Sequence, residues 1–149
     1  MNDKVLKQKV NSAMYELIKE KGIASPVEVL IAVGVLSKVD YERWRRGQVD
    51  YLERVCKINL GKLSTINREI RVYAQKNNLK PSWTFYRRWG KGKGRNKSNL
   101  LRFSKYGREN IEKLYATHYI TQEKVAEGRA KRELKKAKKK EKEVMSKIQ

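Results

Sequence analysis

Nine cationic side chains fall within 22 residues: Arg87, Arg88, Lys91, Lys93, Arg95, Lys97, Arg102, Lys105 and Arg108. The chemistry open to such a cluster is charge neutralisation, since ammonium and guanidinium groups pair with phosphates and displace their counterions. Tyr86, Trp89 and Tyr106 are interleaved with these cations, and rings beside arginines can stack bases. Between Glu69 and Glu109 the chain has no acidic residue but 12 lysines and arginines. An ordinary solvated surface intersperses both signs. A polyanionic partner is the expectation.

Other chemistries find little material. One cysteine and one histidine cannot supply a metal cluster, so no metal and no cofactor are expected. A Cys56–His118 nucleophilic pair has nothing to activate it. Cys56 reads as a small buried hydrophobe that cannot form an internal disulfide. The run GKGKGRNKS lacks the GKS or GKT ending of a phosphate-binding P-loop. Glu109 and Glu112 have the spacing of ordinary helix-surface charge, not of a Mg²⁺ site. No catalytic residue and no small-molecule substrate are expected.

Net charge is +21 over 149 residues, divided as +3 in 1–60, +12 in 61–120 and +6 in 121–149. Such an excess favours nucleic acid or an anionic membrane. A membrane-surface helix needs bulky apolar residues, and 121–149 has few. No apolar run of about 18 residues occurs, and MNDKVLKQKVNS has no signal-peptide core. The expected location is cytoplasmic, with no membrane partner.

Positioning falls to the following elements. Val5, Leu6, Val10, Ala13, Met14, Leu17 and Ile18 predict a helix that stops at Gly22. Ser25-Pro26-Val27-Glu28 combines N-cap, N1 proline and capping-box glutamate, predicting a second helix to about Gly34. LSKVDYERWRRGQ predicts a third, closed by Gly47, and Val49–Leu60 a fourth. Ser64 caps a fifth, with Ile66, Ile70, Tyr73 and Ala74 buried and an end at Asn77 or Asn78. At Pro81 the period becomes two: SWTFYRRW reads as a strand, with Leu100–Phe103 as its partner. Trp83, Phe85 and Phe103 are expected in the core, and residues 89–99 at the tip of a hairpin spanning about 82–104. RENIEKLYATHYI returns to helical spacing. Thr121 caps a last helix with almost no apolar face, which is expected to fray alone.

The predicted fold is mainly α with one β-hairpin: a domain over 1–120 and a basic helical tail over 121–149. Three helices followed by a basic hairpin resemble the winged-helix arrangement. The resemblance covers 48–105 and rests on element order. It implies a recognition helix at 64–76 entering the major groove and a wing at 83–103 touching backbone or minor groove. Asn67, Arg68 and Arg71 would then face bases. Arg43, Arg45 and Arg46 around Trp44 form a candidate second patch. The expected function is non-enzymatic nucleic-acid binding by a monomer, with DNA favoured over RNA. The alternative is an RNA- or ribosome-associated protein, because a Gly/Lys/Arg loop and lysine-rich helix look similar to extensions that order against rRNA.

Overall fold

The computed structural model describes residues 2–90 and 99–148. Helix α1 (Asp3–Lys21) starts where the Asn2 side chain accepts from Val5 N. It buries Leu6, Val10, Ala13 and Met14 on one stripe. Gly22 ends it at φ 72°, in the left-handed region that favours glycine. After strand β1 (Ile23–Ala24), α2 (Pro26–Val33) begins at Ser25, whose Oγ accepts from Glu28 N and donates to the Glu28 carboxylate. Helix α3 (Lys38–Arg45) is capped by Ser37. Helix α4 (Leu60–Lys76) lies against α1, which also packs on α2.

The fold is mainly helical with a small antiparallel sheet. Strands β2 (Lys80–Trp83) and β3 (Thr117–Ile120) pair along their whole length, and β3 also pairs with β1, giving the order β1-β3-β2. Helix α5 (Glu109–Ala116) leads directly into β3. Helix α6 (Gln122–Ile148) buries no side chain. Among the described residues only its start is tied down. Thr121 N donates to Gly22 O, Gln122 Nε2 to Asn78 O and Lys124 Nζ to Lys21 O, while the Thr121 hydroxyl accepts from Lys124 N as the expected cap.

Three expectations are corrected. The Val49–Leu60 helix is a short 3₁₀ turn at Leu52–Val55. Its amides are drawn to distant partners: Leu52 N to Arg102 O, Glu53 N to Phe103 O and Lys57 N to Val35 O. The α4 cap is Asn59, not Ser64. Asn59 accepts from Lys62 N, which brings Leu63 into the core one turn earlier than expected. The hairpin between 82–89 and 100–103 shrinks to one bridge, Arg87 with Leu100. Trp89 N donates instead to Arg45 O at 2.7 Å. The true partner of β2 is the THYI segment, rich in β-branched and aromatic residues.

An aromatic cluster fills the centre. Trp44, Tyr86, Phe103 and Tyr115 are all buried, with Phe103 and Tyr115 stacked at 5.4 Å. His118 on β3 sits beside it, its Nε2 3.2 Å from the Tyr86 hydroxyl. Burial holds the imidazole below its usual 6.5, partly opposed by Glu28. The unfolded chain takes up this proton near pH 6.5, while the folded protein does so only at lower pH. Stability will therefore fall as pH drops through 6.5 towards the folded value. Urea midpoints measured across that range should show the loss, and His118→Gln should reduce it. An unchanged slope in the variant would remove His118 as its cause.

Candidate nucleic-acid interface

Helix α4 turns two different faces to its surroundings. Leu63, Ile66, Ile70 and Ala74 pack inward, while Ser64, Arg68, Arg71 and Gln75 lie exposed at spacings of four, three and four. That spacing makes one stripe down the helix. Among the described residues neither arginine forms an ion pair. The helix's one acid, Glu69, accepts from Asn11 Nδ2 at 3.2 Å and so turns towards α1. Asn67 does not belong to the stripe. It is buried, because position 67 lies one residue past the core position Ile66.

The basic segment after β2 is braced from below by two carboxylates. Glu112 accepts from Phe103 N and Ser104 N, both at 2.8 Å, and from the Ser104 hydroxyl at 2.7 Å. Glu53 accepts from Lys105 N at 3.0 Å and from the Tyr115 hydroxyl at 2.7 Å. Arg102, Lys105, Tyr106 and Arg108 are thereby held outward. Glu112 is not ordinary helix-surface charge. Its position carries a signal in the sequence, because Glu112 is among the first acids after a long stretch without any. Glu112→Ala should destabilise the fold by about 2–4 kcal/mol, since two amides of buried residues are left without an acceptor. A change below about 1 kcal/mol in urea unfolding would show that the segment stands without this brace.

The cations named from sequence fall into distinct settings. Arg87 is exposed. Arg88 is exposed but lies over the Gly47 turn, where φ is +76° and an added Cβ would come within 2.8 Å of Arg88 Nε. Arg102 covers the Tyr51 ring at 5.2 Å, while Lys105 and Arg108 flank Tyr106, which is 70% exposed. Lys91, Lys93, Arg95 and Lys97 lie outside the described residues. In the second patch, Arg43 is paired with Asp40 and Arg46 is exposed. Arg45 is different: its guanidinium sits 5.0 Å from both the Tyr86 and Trp89 ring centroids, and its Nε has no hydrogen-bond partner. Packing between two rings takes it away from a free contact surface.

The aromatic residues exchange places with respect to expectation. Tyr86 is buried among Trp44, Phe103 and His118, and burial pushes its hydroxyl up to about 12. It cannot stack a base. Trp83 and Phe85, expected in the core, are instead half exposed. The expected alternation is not seen: within 83–89 Tyr86 alone is buried, and Thr84 and Arg88, which share its phase, are exposed.

Cys56 is half-buried, and its thiol is pushed up to about 12 by burial and by Glu53. It donates to Leu52 O, whereas His118 meets Tyr86. Among the described residues no group of three His, Cys, Asp or Glu side chains could hold a metal ion. No helix among them is long and apolar enough to cross a membrane. Comparisons with family models, curated proteins and solved structures return no match for this chain.

Proposed function

We propose that the chain is a non-enzymatic nucleic-acid-binding protein that reads DNA with α4 and clamps phosphate with the basic segment beyond β2. The observation that carries this reading is the outward stripe Ser64-Arg68-Arg71-Gln75. All three side-chain types hydrogen-bond to base edges, and arginine does so in bidentate fashion to guanine. Element order supports a winged-helix reading. Helices α1, α2 and α4 precede a basic excursion between the antiparallel neighbours β2 and β3, with α3 and the 3₁₀ turn inserted before α4. On this reading the recognition helix starts at Leu60 and the wing is the longer span from residue 84 to residue 116.

The test is a salt titration of binding to duplex DNA, single strands and structured RNA. Changing Lys91, Lys93, Arg95 and Lys97 to serine should lower the log–log salt slope by roughly 0.9 for each duplex phosphate no longer neutralised, or about 0.7 on single strands. An unchanged slope in a folded variant would remove the clamp. Far tighter binding of structured RNA than of any duplex would transfer the reading to an RNA-associated protein.

A further inference from the structure

We infer that Trp83 and Phe85 form a stacking platform for an unpaired base, so that the protein engages a single-stranded segment beside its duplex. The inference rests on the nucleic-acid reading above and adds a site to it. Trp83 is the last residue of β2, and Thr84 N continues the ladder by donating to Ala116 O at 2.9 Å. Side chains on such a strand alternate between faces. Trp83 and Phe85 lie ring against ring on the outer face, while Tyr86 turns into the core. The two rings lie 4.8 Å apart and are 50% and 54% exposed.

They open onto a groove of about 390 Å³ with apolar walls from Leu100, Leu101 and Ala116. That volume lies near the lower end of small-ligand pockets, roughly 300–1,000 Å³. A planar, apolar-faced ligand of the size of a base suits it.

Charge decides what that ligand is. Lys113 Nζ stands 4.8 Å from the Trp83 centroid, and Arg102 lines the groove. Two carboxylates also line it, but neither is free to repel an anion. Glu112 is bonded to Phe103 N, Ser104 N and the Ser104 hydroxyl, and Glu109 pairs with Lys113 at 3.5 Å. A nucleotide wants an aromatic floor for its base and cations for its phosphates, and Trp83 and Phe85 supply the first, Lys113 and Arg102 the second. As the base covers Trp83, the Lys113 ammonium faces the following phosphate while it stays paired with Glu109. In paired DNA the bases are already stacked on each other, so the platform acts only on an unpaired segment.

The experiment compares a blunt duplex with the same duplex carrying a short single-stranded tail. Wild type should bind the tailed form more tightly. The double variant Trp83→Ala/Phe85→Ala should lose that preference, raising Kd for the tailed form by roughly 5- to 100-fold, with blunt-duplex affinity unchanged. Trp83→Phe should restore part of it. Photo-crosslinking of wild type to a 5-iodouracil tail gives a readout independent of the variant's folding, with adducts expected on Trp83 or Phe85. Equal binding of both forms, or adducts only elsewhere, would overturn the platform and leave duplex recognition standing. Absence of binding to either form would overturn both readings. A drop in oligomeric mass of the double variant, with its tail preference intact, would make this face a contact between copies and also overturn the platform.

Discussion

Trp44→Ala will lower the unfolding free energy by about 3–5 kcal/mol, the range for removing a fully buried tryptophan. Native domains hold only about 5–15 kcal/mol in all, so the variant will be close to unfolding. Trp44 is completely buried, with ring neighbours Tyr86 at 5.5 Å, Phe103 at 5.2 Å and Tyr41 at 6.2 Å. Its Nε1–H donates to Arg102 O at 2.9 Å. One side chain on α3 thus joins the helical part of the domain to the base of the basic segment. Trp44→Phe keeps most of the volume and should cost about 1–2 kcal/mol, chiefly through the missing hydrogen bond. Urea unfolding followed by circular dichroism measures both. An alanine variant within about 1 kcal/mol of wild type would show that the cluster collapses onto the gap.

On the proposed reading, Arg68→Ala/Arg71→Ala will weaken binding to a selected DNA site by roughly 2–6 kcal/mol, about 1–3 for each bidentate base contact. Binding to random duplex should fall much less. Both arginines are exposed on α4, opposite its buried face, so thermal stability should stay within about 0.5 kcal/mol of wild type. Binding selections on randomised duplexes, followed by titration of the winner and a scrambled control, give the two numbers. Equal losses on both would make these arginines phosphate contacts. Ser64→Ala and Gln75→Ala extend the comparison to either end of the stripe.

Local signals located much of this fold. The cap at Ser25, the stop at Gly22 and the start at Thr121 each depend on side chains close in sequence, and each lies where the residues alone place it. Misplaced elements depended on distant partners instead. Both Asn59 and Ser64 are competent N-caps, and the choice is made by Leu63 entering the core against α1. RENIEKLYATHYI reads as helix through Ile111, Leu114 and Tyr115, but the helix gives way to a strand at Thr117, and the chain turns Tyr115 and Tyr119 inward. Both are buried, but the first from a helix and the second from a strand. At the interface, residue types marked the cations, yet not their neighbours. Nothing near Arg45 in sequence announces Tyr86 and Trp89 on either side of its guanidinium, and nothing near Trp83 announces that it faces outward.

The middle strand of the sheet is also the last of the three to be synthesised. β1 meets β3 across roughly a hundred residues, and closing such a loop costs about 4 kcal/mol of chain entropy before the first ladder bond can form. Until Thr117–Ile120 exists, β1 and β2 both carry unpaired edges. Free edges recruit other chains. The growing polypeptide passes through that vulnerable interval with its acid-free stretch already made, and like charges keep neighbouring copies apart. Positive charge along that stretch therefore opposes edge-to-edge pairing of copies while the sheet is incomplete.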